Sequence, residues 1–451
     1  MHCSATLTQL VEVIFAHSVN LSETALTQVT SGIQTDSRTL KPGEVFVAFR
    51  GDKFDGHEFV PAAIAKGAIA AIVDFEYKNP GFPVLQVKDT LKAYQKLGRW
   101  WRDHFNIPVI GVTGSVGKTT TKELIAAVLG TKGRVHKTYG NYNNEIGVPK
   151  TLLELGAEND YAVIEMAMRG RGQIAELTQI AHPTIGVITN VGTAHIELLG
   201  SEKAIAEAKC ELLAEMPADS VAILNHDNPL LMATAAKVWH GKVLTYGFSG
   251  GDIQGQLIDN DTMEVAGIQL PLPLLGRHNA TNFLAALAVA KVLGIDWASL
   301  KAGVMVDMPT GRSQRFTLPN DVVILDETYN AAPEAMIAAL QLLADTPGKR
   351  KIAVLGAMKE LGERSQQLHQ RVGETVQKLN LDSLLVLVDG QDTKAIALSA
   401  KGIPSECFAT HAELVARLKT FVQAGDRLLF KAAHSVALDR VVNQLRAEFT
   451  K

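Results

Sequence analysis

Residues 109–121 read Val109-Ile110-Gly111-Val112-Thr113-Gly114-Ser115-Val116-Gly117-Lys118-Thr119-Thr120-Thr121. The leading apolar run has the length of a buried strand, and the pattern from Lys118 to Leu129 is that of a helix. Glycines between the two let backbone N–H groups approach phosphate oxygens. The helix N-terminus adds a favourable dipole. In loops of this kind the lysine reaches the β- and γ-phosphates of a nucleotide, and the hydroxyl after it ligates Mg²⁺. The spacing is the shorter G-x-x-G-K-T form, because Val112 stands where G-x-x-x-x-G-K-[ST] has glycine. A plain Gly-rich turn with an ordinary lysine is the alternative; strand, glycines, Lys118 and Thr119 falling in order outweigh it. No Asn-Lys-x-Asp segment follows a strand, so ATP is favoured over GTP. The expected nucleotide contacts are Gly114, Ser115, Val116, Gly117, Lys118, Thr119 and Thr120.

Outward from this loop the alternation of strand and helix continues. Tyr161-Ala162-Val163-Ile164 and Ile185-Gly186-Val187-Ile188 read as buried parallel strands. Val322-Val323-Ile324-Leu325, Ile352-Ala353-Val354-Leu355, Leu384-Leu385-Val386-Leu387 and Leu428-Leu429-Phe430 predict a second, smaller open α/β unit. Upstream, Val45-Phe46-Val47-Ala48-Phe49 and Ala70-Ala71-Ile72-Val73 are strand-like, with turns at Lys41-Pro42-Gly43 and Gly51-Asp52. A helix from Thr90 to Phe105, apolar along Leu91, Tyr94, Leu97 and Trp101, leads into the second region. The expected fold is α/β in three domains. A small N-terminal domain spans 1–88, a central phosphate-loop domain with a mostly parallel sheet spans 89–312, and a C-terminal Rossmann-like domain spans 313–451. Ligands are expected in the clefts between them.

The chain of 451 residues has the length of three domains. Its net charge of −3 provides no basic field for nucleic acid. Cys3, Cys210 and Cys407 are scattered and form no C-x-x-C pair, which argues against a zinc cluster or a disulfide framework and fits a reducing compartment. The start, Met1 to Thr6, lacks the pattern of a secretory signal, and no apolar run approaches a membrane span. A cytoplasmic, monomeric enzyme is expected.

Several polar segments follow the strands. Glu165 ends one strand, placed either to help hold Mg²⁺ or to remain solvated. Thr189-Asn190-Val191-Gly192-Thr193-Ala194-His195 ends another, with His195 a metal ligand, a partner for a carboxylate, or neither. In Gly276-Arg277-His278-Asn279-Ala280-Thr281-Asn282, Asn279 is expected to cap a helix and Asn282, on the same face, to read adenine. Asp326-Glu327-Thr328-Tyr329-Asn330 offers a carboxylate to a ribose, or an Asx turn before the helix at Pro333. Asn141 to Gly147 is a loop with three amides, suited to ligand binding or to turn building.

Together these segments resemble the Mur ligases of bacterial cell-wall synthesis, over nearly the whole chain. The resemblance adds Thr35-Asp36-Ser37-Arg38, Pro42 to Ala48, Phe54-Asp55-Gly56-His57, Ala208-Lys209, Gly311-Arg312, Gly356-Ala357-Met358-Lys359-Glu360-Leu361-Gly362 and His369. The last two are similar to the branch that adds D-alanyl-D-alanine to UDP-N-acetylmuramoyl-tripeptide. The resemblance implies an ATP- and Mg²⁺-dependent amide ligase acting through an acyl phosphate. It implies UDP contacts at Ser37, Arg38, Asp55, Gly56 and His57, and peptide contacts at Asn141 and Asn144. It implies adenosine and phosphate contacts at Asn282, Arg312 and Asp326, with further substrate contacts at Tyr329, Asn330 and Lys431. Thr119, Glu165, His195 and a CO₂-derived carbamate on Lys209 would hold metal; Lys118, Lys209, His195 and Glu165 would carry the chemistry. By its residues alone, Lys209 reads as a solvated helix lysine.

Two departures from the family pattern stand out. Val116 replaces an Asn, at a position expected to face away from the N–H cradle. Lys431-Ala432-Ala433-His434 replaces Lys-Gly-Ser-Arg at the expected dipeptide end. A folylpolyglutamate synthase lacks the uridine domain, and the ligase adding the third amino acid carries Asp-Asn-Pro-Arg in its last domain. Here Asp227-Asn228-Pro229-Leu230 lies in the second domain and lacks the Arg. A nucleotide-dependent switch is the alternative from another class.

Overall fold

The computed structural model describes residues 3–51 and 54–449, so Asp52 of the Gly51-Asp52 turn and the first two residues lie outside the described residues. Among the described residues the strands form sheets of five, nine and six. The apolar runs of the sequence are strands, with ends shifted by a residue or two: Val45–Val47, Ala70–Asp74, Val109–Thr113, Tyr161–Glu165, Ile185–Ile188, Val322–Asp326, Arg350–Leu355, Ser383–Leu387 and Asp426–Lys431.

The nine-stranded sheet holds the phosphate loop. Strand Val109–Thr113 lies between Tyr161–Glu165 and Ile185–Ile188, parallel to both, with Val112 opposite Glu165 and Thr113 opposite Ile188. All three strands therefore end along one edge of the sheet. Helices cover both faces. One core gathers Ile174, Leu177, Ile205 and Leu212 against Ile164 and Ile188. The other gathers Leu124, Ile125, Leu284 and Leu287 against Ile110 and Val112. Burial on both faces explains why these strands run apolar up to Thr113 and Glu165 at their ends. The sheet continues through Val221–Asn225 and Lys242–Gly247 into an antiparallel extension, Ile253–Leu257, Thr262–Val265 and Ile268–Pro271.

Helix Thr90–Arg102 joins this unit to the N-terminal sheet. Tyr94 and Leu97 belong to the N-terminal core, while Trp101 packs on the central one. The Arg102 side chain donates to the carbonyls of Ala181 (3.1 Å) and His182 (3.1 Å), fixing the helix end to the central unit. The third sheet runs Gln314–Leu318, Val322–Asp326, Asp426–Lys431, Arg350–Leu355, Ser383–Leu387, Ser405–Phe408, antiparallel only at its first strand. No helix among the described residues is long and apolar enough to cross a membrane.

Candidate active site at the phosphate loop

Two glycines shape the phosphate loop by close approach. A Cβ on Gly114 would fall 1.9 Å from the Thr189 hydroxyl oxygen. Gly117 adopts a left-handed φ of 81°, and a Cβ there would lie 2.7 Å from Asn282 Oδ1. Helix Lys118–Gly130 starts directly after it. The segment after strand Ile185–Ile188 laces this loop from the side. Ser115 N–H donates to the Asn190 carbonyl (3.0 Å), and Val116 N–H donates to Asn190 Oδ1 (3.0 Å). The Val116 carbonyl accepts from the Thr189 hydroxyl and the Asn190 amide. Val116 thus gives its backbone to Asn190 and Thr189.

Lys118 is half-buried, its ammonium donating to the carbonyls of Gly114 (2.9 Å) and Ser115 (3.3 Å). Burial lowers its pKa; Glu165 opposes that shift and Arg312 reinforces it. Thr119 Oγ1 donates to Glu165 Oε1 (3.1 Å), which also accepts from Asn143 Nδ2 (2.8 Å). Glu165 Oε2 is buried with no hydrogen bond, and the Lys122 ammonium stands 3.8 Å away. A buried carboxylate oxygen left bare beside a phosphate loop suits Mg²⁺, a hard cation that takes one or two carboxylates and completes its shell with phosphate and water. Among the described residues no cluster of three or more His, Cys, Asp or Glu is arranged for a metal ion. A metal here would rest on Glu165 and the Thr119 hydroxyl.

Lys209 overturns the reading of a solvated helix lysine: it is 1% exposed. Helix Glu202–Glu215 turns it inward with Ala208 and Cys210. Its ammonium has no hydrogen bond or ion pair among the described residues. Burial, with Lys118 adding to it, drives its pKa well below that of a free lysine. His195 is the third cationic candidate. Its Nδ1 lies 2.5 Å from Glu360 Oε2, and both residues adopt left-handed φ, 66° and 60°. Burial and Lys118 lower the His195 pKa, with Glu360 opposing them.

The adenosine-side candidates meet this edge. Asn282 is buried against Gly117. Asn279 does not cap its helix: Gly276 holds that place, and Asn279 Nδ2 donates to the Leu275 carbonyl (2.8 Å) from inside the first turn. The Arg312 guanidinium lies 3.8 Å from the centre of the Tyr329 ring, whose other neighbour is His434, stacked at 5.3 Å. Asp326 is buried and accepts from Thr328 N–H (3.0 Å) and Oγ1 (2.6 Å), an Asx turn; burial raises its pKa. Lys431, also buried, donates to the carbonyls of Asn330 (3.0 Å) and Glu327 (3.4 Å) and so clamps the Asp326–Asn330 turn.

The candidates for the UDP and peptide ends are engaged mainly with one another. Arg38 is exposed and paired with Asp36 (2.7 Å), whose carboxyl it holds down to about 2. The Ser37 carbonyl accepts from Lys66 (2.8 Å). His57 is buried, with Nδ1 2.6 Å from Asp55 Oδ1 and Nε2 accepting from Asp74 N–H (3.0 Å). Gly56 N–H donates to the Phe49 carbonyl (2.7 Å). Asp55, Gly56 and His57 therefore knit their own loop. Asn144 Oδ1 accepts from Gly147 N–H (2.9 Å) at a helix start, and Asn141 is exposed beside it. His369 Nε2 accepts from Met358 N–H (3.0 Å), so the imidazole shapes the segment that presents Glu360.

Three residues at this site were not singled out by sequence reasoning: Asn143 on Glu165, Glu360 on His195, and Glu334, which accepts from Thr193. Asn143 sits in the amide-rich loop, a visible signal. Glu360 lies within the Gly356–Gly362 motif, though nothing there pointed to His195, and no local spacing marks Glu334.

The Mur ligase middle domain matches residues 112–290, the Mur ligase, glutamate ligase domain 311–434, and the Mur ligase family, catalytic domain 29–98. A UDP-N-acetylmuramoyl-tripeptide–D-alanyl-D-alanine ligase of Synechocystis sp. is 58% identical over 438 residues, 96% of each chain. Its Escherichia coli counterpart is 35% identical over 460 residues, 99% of each. A MurF crystal structure from Acinetobacter baumannii superposes with a TM-score of 0.89 at 30% identity, covering 99% of both chains. The MurF ligase of Thermotoga maritima in complex with ADP gives 0.83 at 32% identity, over 93% of this chain and 97% of that one.

Gly117→Ala places a methyl group against Asn282 on a left-handed backbone; ADP affinity, read by calorimetric titration, is expected to fall by at least about tenfold. A second expectation concerns Asp74, whose carboxyl is held down chiefly by the Arg50 guanidinium (2.5 Å). A depressed carboxyl contributes stability above its unfolded pKa and loses it as pH falls through the folded one. Asp74→Asn should lower the unfolding midpoint at pH 7, and the deficit should close below about pH 4. An equal deficit at both pH values would contradict this.

Proposed function

The chain belongs to the Mur ligase family, and we propose that it joins D-alanyl-D-alanine to UDP-N-acetylmuramoyl-tripeptide at the expense of ATP, in peptidoglycan precursor synthesis. The observation that carries this reading is the Glu165 carboxylate, gripped on one oxygen by Thr119 and Asn143 and bare on the other, at the mouth of the phosphate loop. The scarce, scattered cysteines support a cytoplasmic setting. We take 1–88, 89–312 and 313–451 as the UDP-substrate, ATP-binding and C-terminal units.

Condensing a carboxylate with an amine in water is unfavourable, so the carboxylate is activated first. The γ-phosphoryl of ATP moves to a carboxylate oxygen of the tripeptide, with ADP leaving. The dipeptide amine then attacks the acyl carbon; the C–N bond forms, phosphate departs and the amine loses a proton. The protein's share is positioning and charge compensation. The N–H groups that open helix Lys118–Gly130 and the Lys118 ammonium hold the phosphates, Lys118 exchanging its two loop carbonyls for phosphate oxygens; the Ser115 and Val116 N–H groups are taken by Asn190. Asn282, Arg312 and Asp326 line the adenosine side. Glu165 and Thr119, with His195, would hold Mg²⁺, which would supply compensation of the phosphate charge. Lys209 is suited to carbamate formation because a buried amine with a depressed pKa is the nucleophilic form. Its neutral nitrogen would bond CO₂ and shed one proton, turning an uncharged amine into an anionic oxygen ligand. Ser37, Arg38, Asn141 and Asn144 face the UDP-muramoyl-peptide; Asp55, Gly56 and His57 act through the loop they hold. Tyr329, Asn330 and Lys431 shape the dipeptide side.

Incubation with ATP, Mg²⁺, UDP-muramoyl-tripeptide and candidate amines should yield a new amide, detected by mass, with D-alanyl-D-alanine; no amide with any amine would reject the reading. Lys118→Ala should abolish the product while leaving binding of the UDP substrate intact. For Lys209, ¹³C-bicarbonate should give a protein carbamate resonance that Lys209→Met removes; a spectrum without that resonance would contradict the carbamate.

A further inference from the structure

Glu334 opens helix Pro333–Asp345 of the third unit, yet its carboxylate is spent on the central one. Oε1 accepts from both the N–H (3.0 Å) and the hydroxyl (2.9 Å) of Thr193. Oε2 is buried and has no hydrogen-bond partner. The neighbouring Gly192 leaves just enough room, since a Cβ there would lie 2.8 Å from the Glu334 carboxyl carbon. Gly192 N–H in turn donates to Ser115 Oγ (2.9 Å), inside the phosphate loop. A continuous line of bonds therefore runs from the third unit to the nucleotide cradle: Glu334, Thr193, Gly192, Ser115. The contact is made by a charged group with one oxygen unsatisfied, an arrangement that packing for stability alone does not favour.

From this geometry we infer that Glu334 is a positioning residue for the ligation, docking the third unit on the Thr189–His195 segment and holding the phosphate loop in its reactive shape. It rests on the proposed ligase reading and adds to it a residue outside the expected site. Glu334 touches neither nucleotide nor peptide in this role. It acts through Thr193, on the segment that also carries His195, and a fault in the clasp reaches the phosphate loop through a single backbone step.

The test uses full-length protein. Glu334→Ala and Thr193→Val should each lower kcat by about tenfold or more, the scale of one hydrogen bond to a charged group. KM for ATP and for the UDP substrate, and the unfolding midpoint, should stay near wild type. The double variant should lose no more than the worse single one, because both break the same contact. Glu334→Gln keeps a carbonyl oxygen for Thr193 and should recover most of the rate. Wild-type kcat in Glu334→Ala, additive losses in the double variant, or a rate loss that merely follows the unfolding midpoint would each overturn the proposal. Should Glu334→Ala fail to fold, Thr193→Val against Glu334→Gln makes the same comparison. Absence of amide product in the wild-type protein would instead reject the ligase reading.

Discussion

The parallel pairing of Val109–Thr113 with strands on both sides is the constraint on which the site depends. Parallel strands end on one edge, so the three segments that follow them must meet there. One becomes the phosphate loop, one presents Glu165, and one carries Thr189 to His195. None of these segments is regular at that point, and each is held by the others. Thr119 reaches Glu165, and Asn190 reaches Ser115 and Val116. Loss of the strand register would separate all three at once.

Charge is the second organising fact. Burial lowers the pKa of both Lys118 and Lys209, with Arg312 adding to the shift of Lys118 and Lys118 to that of Lys209. Glu165 alone does not balance them. Such a site attracts anions, and phosphoryl transfer between a nucleotide and a carboxylate brings several together. Lys122 stands behind Glu165, itself bonded to the Thr138 carbonyl (2.7 Å) and paired with Glu123 (2.9 Å). The carboxylate is thereby held from both sides, Oε1 by Thr119 of the loop and Oε2 beside the Lys122 ammonium.

Much of the fold was legible because its central strands are buried on both faces and are therefore apolar up to their ends. The antiparallel extension at Ile253–Pro271 escaped notice for the converse reason. One face is exposed, and Gln254, Gln256 and Glu264 break the apolar runs. The phosphate loop was legible from local order alone, since strand, glycines, Lys118 and Thr119 are contiguous. Lys209 was not, because burial of a helix lysine depends on what packs over it. Asn279 misled for a related reason: the helix starts three residues earlier than its capping chemistry suggests. Glu334 and Glu360 belong to a different sheet from the residues they hold, and contacts across units leave no periodic trace in a sequence.

The central claim is that phosphate passes through the peptide carboxylate on its way from ATP. The most direct measurement labels that carboxylate with ¹⁸O and follows the label into inorganic phosphate during turnover with D-alanyl-D-alanine. An acyl phosphate requires one ¹⁸O to appear in phosphate for each amide formed. Phosphate released without the label would contradict the account.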